Sequence, residues 1–200
     1  GTITVRYEVY GDGILLVRSR LERGVAPNGA LPKFGMTMVL PARYQLVYWM
    51  GRGPFENYPD RNRAAFIGLH YQFIKNMVVP YIRPQEQGNR SDVHWAVLVD
   101  STGTGIAVQG VERPFQFSAL PYSVADLQCP VRALGQRNDL NRHFSDLTPR
   151  RAVYLDIDAV QMGLGGDDSW WTRPHKQYRL LEQRYEYAFY LMPYFPQRFP

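Results

Sequence analysis

Cysteine is nearly missing from these 200 residues, and a lone Cys129 excludes an intrachain disulfide framework. Pro130 follows it and no His stands nearby, so it reads as a semi-buried thiol rather than a nucleophile. No apolar run approaches the roughly 18–20 residues of a membrane span. The first residues, Gly1 to Tyr10, already alternate like a strand, so no signal or transit segment is visible. There is no packed Lys/Arg run either. The net charge of +5 comes mostly from Arg scattered among acids. Its densest stretch, Arg132, Arg137, Arg142, Arg150 and Arg151, reads as a solvated face or an interface, not a nucleic-acid arm. His70, His94, His143 and His175 lack close metal-ligand spacing. No Ser/His/Asp or zinc motif occurs, and the glycines around Gly165 lack the strand–helix setting of a phosphate loop. The chain also lacks an initiating Met, which suggests a processed chain or a piece of a longer protein. The compartment stays open, with cytoplasmic as the default.

What is present is strand periodicity. Ile3, Val5, Tyr7 and Val9 alternate with polar residues, Gly11-Asp12-Gly13 signals a tight turn, and Ile14 to Val17 returns. Met36–Leu40 and Tyr44–Trp49 read as two strands separated by Pro41-Ala42. Val93, Trp95, Val97 and Val99 alternate again, placing His94 opposite their apolar row; Gly105–Gly110 and the pair Phe115 and Phe117 follow. Val153, Leu155 and Ile157 alternate with Tyr154, Asp156 and Asp158, and Tyr185, Tyr187, Phe189 and Leu191 supply a closing strand. Helix is sparse: Ser123 is placed to cap a short one through Ala125 and Leu127, limited by Pro130. Strands at short intervals with Gly, Pro, Asp and Asn turns predict an all-β sandwich. With 45% hydrophobic residues and no low-complexity linker, one domain over residues 1–192 is expected, with 193–200 as a peripheral tail.

Three polar segments interrupt this framework. In Gly51–Arg61, the side chains of Arg52, Glu56, Asp60 and Arg61 suit an ion-paired scaffold loop. In Arg83–Asp92, Arg90 and Asp92 have the composition of a charge-assisted pair. Gly163-Leu164-Gly165-Gly166-Asp167-Asp168-Ser169-Trp170-Trp171 joins turn-forming residues to two indoles, which either close a core or present a flat face to a sugar. Gly165, Gly166, Asp167 and Asp168 read as loop-shaping residues. Asp167 and Asp168 are adjacent, but adjacency does not aim two carboxylates at one glycosidic bond, and the distant pair Glu56 and Glu86 falls in scaffold segments. Asp156 and Asp158 read as part of a solvated strand face.

Taken together these segments resemble the C-terminal domain of the large microbial β-galactosidases. The match runs in order from about Leu31 to Leu191. It includes both scaffold loops, the joining Val79-Pro80-Tyr81-Ile82, the following Val93-His94-Trp95, and Gln161-Met162 leading into the glycine-rich loop. The resemblance implies an antiparallel β-supersandwich, galactose mutarotase-like in shape, forming the C-terminal part of a larger retaining β-galactosidase or a separately encoded small subunit. The catalytic carboxylates of such a parent lie on a TIM-barrel domain outside this chain, so the isolated chain is expected to be inactive. The parent would hydrolyse terminal β-D-galactosides such as lactose. Trp170 matches the family Trp after Gly-Gly-Asp-Asp-Ser and would wall the aglycone or acceptor side of the active site. Trp171 departs from the small or polar residue expected there, and extends that wall, packs beneath it or faces an interface. No cofactor is expected in this chain; Mg2+ and Na+ would be bound mainly by other domains of the parent. Expected partners are those domains, a galactoside or acceptor sugar, and further subunits. An autonomous carbohydrate-binding module and an aldose mutarotase or epimerase are the alternatives.

Overall fold

The computed structural model describes residues 1–24, 29–128, 143–168 and 172–196. Asp12 begins the first turn: its Oδ1 accepts the amide N–H of Ile14 at 3.1 Å, and the chain reverses from β1 (Thr2–Val9) into β2 (Leu15–Glu22). Next come β3 (Lys33–Pro41), β4 (Leu46–Gly53), β5 (Phe66–Phe73), β6 (Arg90–Val93), β7 (Trp95–Val99), β8 (Gly105–Gly110) and β9 (Phe115–Leu120). The short helix α1 (Val124–Leu127), then β10 (Ala152–Gln161) and β11 (Arg184–Tyr194), follow, and single 3-10 turns stand at Ile74–Asn76, Phe144–Asp146 and Lys176–Tyr178.

The strands form two antiparallel sheets. One has seven strands in the order β1-β2-β11-β8-β7-β4-β5, the other four in the order β3-β10-β9-β6. The fold is an all-β sandwich. Among the described residues no helix is long and apolar enough to cross a membrane. The core lies between the sheets. Val17, Val47, Trp49, Ala96, Leu98, Val108 and Phe189 of the large sheet meet Leu40, Phe117, Ala119, Val153, Leu155 and Ile157 of the small one. Trp49 and Phe117 pack edge to face across it, with ring centroids 5.8 Å apart.

The apolar row at Val93, Trp95, Val97 and Val99 divides between two settings. The chain leaves the small sheet at Val93 and enters the large one at Trp95, with the exposed His94 as the joint. Val93 faces the main core, whereas Trp95, Val97 and Val99 belong to a second cluster with Leu46, Ala107 and Met192. The core-facing residues of β7 are instead Ala96 and Leu98, so this strand is apolar on both faces. Likewise β3 and β4, separated by a short turn, lie in different sheets. β5 lacks a clean polar–apolar alternation and forms the edge beyond β4. β11 runs on to Tyr194, with Pro193 paired to Ile106 and Tyr194 to Gly105, two residues past the expected end of the domain. Ser123 caps α1 in a capping box: it accepts the Asp126 N–H while the Asp126 carboxylate accepts the Ser123 N–H.

Candidate functional site

The segments 51–61 and 83–92 are welded by hydrogen bonds rather than by a single ion-pair ring. Asn57 Oδ1 accepts the Ser91 backbone N–H at 3.0 Å and its hydroxyl at 2.6 Å, while Asn89 Nδ2 donates to Asn57 O at 2.8 Å. Glu56 accepts the Gly88 N–H at 2.8 Å, Arg61 Nη2 at 3.2 Å, and the Tyr81 hydroxyl. Of the four charges expected to pair within 51–61, only Glu56 and Arg61 do so. Arg52 reaches out of the segment to Asp92, Nε to Oδ2 at 2.5 Å, and donates to Ala65 O at 2.9 Å.

That contact also corrects the expected pairing of Arg90 with Asp92. Arg90 is 2% exposed, and its guanidinium is satisfied by neutral oxygens. Nε donates to Pro54 O at 3.0 Å, Nη1 to Gly88 O at 3.0 Å and Asn89 O at 3.3 Å, and Nη2 to Gln72 Oε1 at 2.9 Å. It also lies 5.5 Å from the Trp49 ring centroid. Burial lowers its pKa to about 10, partly offset by the Glu56 charge, so it stays cationic at neutral pH.

This framework holds the base of the glycine-rich loop. Asp60 Oδ2 accepts the Gly165 N–H at 2.8 Å, and Gly163 N donates to Tyr178 O at 2.9 Å. A Cβ on Gly163 would stand 2.6 Å from that same Asp60 oxygen, so only glycine lets the carboxylate approach. Gly165 and Gly166 have φ of 72° and 105°, the left-handed region that glycine enters freely. Asp167 Oδ2 lies 2.6 Å from His175 Nε2. Asp168 accepts from the Thr172 N–H at 3.3 Å and from its hydroxyl. Residues 168 and 172 are therefore tied across the stretch that carries Trp170. Trp170 and Trp171 themselves lie outside the described residues, as do Cys129 and Arg132, Arg137 and Arg142.

Beside this base is a charged cluster that sequence reasoning missed. Asp156 and Asp158 are not on a solvated face; they are 7% and 2% exposed. Lys33 Nζ lies 2.6 Å from Asp156 Oδ2 and 3.6 Å from both Asp158 Oδ2 and Glu86 Oε2. Asp156 Oδ1 also accepts the Thr37 hydroxyl at 2.6 Å. Burial raises the Asp158 pKa to about 7, with Lys33 opposing. Burial alone would lower the Lys33 pKa, but the carboxylates of Asp158, Glu86 and Asp156 outweigh it and hold the ammonium charged. The antiparallel register explains the assembly: Asp156 opposes Thr37 and Asp158 opposes Gly35. A Cβ at Gly35 would fall 1.9 Å from Asp158 Oδ1. The available signal was two acids spaced by two in a strand whose other face is fully apolar. Their counter-ion, Lys33, lies 123 residues before Asp156 in the chain.

Among the described residues no three metal-ligating side chains converge on an open point. Where carboxylates gather, the Lys33 ammonium already occupies the centre, so this donor set does not fit a bound Mg2+ or Na+.

Comparison with known proteins bears on the whole of this arrangement. The family model described as beta galactosidase small chain matches residues 2–191. A beta-galactosidase of Priestia megaterium is 36% identical over 193 residues, covering 94% of this chain and 17% of that protein. One from Lactobacillus delbrueckii subsp. bulgaricus is 36% identical over 184 residues, covering 92% of this chain and 17% of its own length. Beta-galactosidase BgaC of Bifidobacterium adolescentis is 38% identical over 183 residues, with 89% and 16% covered. The chain thus spans only 16–17% of the length of these relatives.

Proposed function

Because the chain belongs to the beta galactosidase small chain family, we propose that it is a non-catalytic domain of a larger β-galactosidase that walls the aglycone or acceptor side of the active site with Trp170. The observation that carries this reading is the clamped base of the glycine-rich loop. Asp60 fixes Gly165, and Asp168 is tied to Thr172 across the Trp-bearing stretch. Fixing the residues on either side of a binding segment lowers the ordering cost of binding. Asp167 and Asp168 are engaged with His175 and Thr172, which favours a structural role over work as a nucleophile and acid pair. The retaining hydrolysis of galactosides such as lactose then belongs to carboxylates elsewhere in the parent.

The rest of that parent also supplies a cover for the exposed apolar end of the large sheet. Ile67, Leu69, Tyr71 and Phe73 of β5 line it beside Tyr48. We assign this face to packing against other parts of the parent, since the chain makes up so small a share of its relatives.

Steady-state kinetics of the intact parent test the first assignment. Trp170→Ala should weaken use of lactose and transfer to acceptor sugars by about tenfold, the scale of a lost stacking contact and its apolar area. Hydrolysis of a substrate whose leaving group does not reach this wall should change little. Unaltered parameters for lactose and for acceptor transfer would reject the contact.

A further inference from the structure

One cavity lies beside the base of the glycine-rich loop, with Leu164 in its lining. It opens over the outer face of the four-stranded sheet and has a volume of about 360 Å3. Lys33, Asp156 and Glu86 line it on one side with Gln87 and Gln161, and Leu120 and Leu127 belong to its apolar wall. Its size falls in the range of small-molecule sites, about 300–1,000 Å3, and a few polar groups against an apolar wall is their usual lining. Gln87 is fully buried and Gln161 is 4% exposed, yet Gln87 Nε2 and Gln161 Oε1 have no hydrogen-bond partner among the described residues. The Gln87 amide is held in place, because its Oε1 accepts the Val79 N–H at 2.7 Å. Buried polar atoms are ordinarily paired, so two orphans at one cavity wall point to a partner beyond the described residues.

We propose that this cavity is a binding site for a neutral polyhydroxylated ligand of about the size of one pyranose ring. The charges select neutrality. An anion would face Asp156 and Glu86, and a cation would have to compete with Lys33, whose Nζ already lies 2.6 Å from Asp156. A sugar hydroxyl both donates and accepts. Neighbouring hydroxyls can therefore give to Gln161 Oε1 or the Glu86 carboxylate and accept from Gln87 Nε2. The C–H face of the ring then lies on Leu120 and Leu127. The proposal rests on this lining alone and does not require the role assigned to Trp170.

Hydrogen exchange of the intact protein that carries this chain, read by mass spectrometry in peptides covering 83–89 and 154–164, tests the proposal. D-galactose and D-glucose in the millimolar range should slow exchange saturably in both peptides. Cationic D-glucosamine and anionic D-gluconate should not. The double variant Gln87→Leu with Gln161→Leu should weaken the effect about tenfold, as expected for lost buried hydrogen-bonding partners. Val124→Phe adds a ring at the cavity from an exposed position on α1 without removing a buried group, and should abolish the effect. Trp170→Ala should leave these peptides responding normally while acceptor use changes, so failure of one reading is distinguishable from failure of the other. The proposal is overturned by absence of sugar-dependent slowing, by slowing that survives Val124→Phe, or by equal slowing with either charged sugar. It is also overturned if these peptides are already slowed to the same degree without sugar, which would identify another part of the parent as the occupant.

Discussion

Asp158 carries an unusual load for one residue. Its Oδ1 is pressed against Gly35, its Oδ2 accepts no hydrogen bond among the described residues, and burial lifts its pKa from 3.8 to about 7. The sign of the consequence follows from which state ionises first. Below the ordinary value both folded and unfolded chains hold the proton. Between that value and about pH 7 the unfolded chain has lost it and the folded chain has not. Stability from this residue is therefore fully present at low pH and falls as pH rises, by at most about 1.4 kcal/mol per pH unit, until the folded carboxyl also ionises. Asp158→Asn removes the titration and leaves Lys33 its closer partner Asp156. Urea unfolding of the variant should show a flatter dependence between about pH 4 and 7 and higher stability at neutral pH. An unchanged slope would assign that dependence to other groups. Arg90 illustrates the opposite solution to a buried charge. Its acceptors are three backbone carbonyls and one amide oxygen, so it remains ionised without a carboxylate in hydrogen-bond contact.

At the level of elements, legibility depended on whether a strand has one covered face or two. The inner row of β10, Val153, Leu155 and Ile157, was readable from its period because the sandwich core covers it. The outer row misled, since Asp156 and Asp158 look solvated until Lys33 and Glu86 are brought over them by β3 and the 83–92 segment. β5 gave no period because an edge strand of this composition exposes apolar side chains on both faces, Phe66 and Leu69 among them. The glycine-rich loop was half legible. Gly165 and Gly166 follow from their need for positive φ, but the clamp from Asp60 spans 105 residues of sequence and leaves no local signature. That clamp makes a prediction at this scale, which rests on the role proposed for Trp170. In the intact parent, Asp60→Ala should release Gly165 and lower transfer to acceptor sugars about tenfold, the effect of losing one charge-assisted hydrogen bond. Asp60→Asn keeps an oxygen that can accept the Gly165 N–H and should retain most of the transfer. Equal acceptor transfer by the alanine and asparagine variants would remove Asp60 as the residue that positions the loop.

Across the whole molecule, the outer face of the large sheet changes character from one edge to the other. Near β1 and β2 it carries Arg6, Glu8, Arg18, Arg20 and Glu22, paired in exposed salt bridges such as Arg18 with Glu8 at 3.5 Å. Such contacts contribute little in water, and a face of this kind is content to remain there. Beyond β7 the charges give way to Tyr48, Leu69 and Tyr71, the last two 67% and 69% exposed, with Tyr48 and Tyr71 ring centroids 5.9 Å apart. Scattered exposed apolar residues are ordinary, but a contiguous patch is the mark of a contact surface. This contrast is what the proposed packing role requires, with the apolar β5 end, not the charged β1 end, meeting the remainder of the parent. The paired substitution Leu69→Lys and Tyr71→Lys changes only exposed side chains, so the domain itself should fold. Charges at that position would oppose burial of two large apolar groups, a penalty on the order of 2–4 kcal/mol. In the intact parent the variant should lower the thermal transition, and faster proteolytic release of this domain should accompany it. Replacing Arg6 and Arg18 by Ala, at the charged end, should leave both measurements near wild type. If the β5 variant also matches wild type, the apolar face does not meet the rest of the parent, and the packing role assigned to it fails while the loop assignment stands.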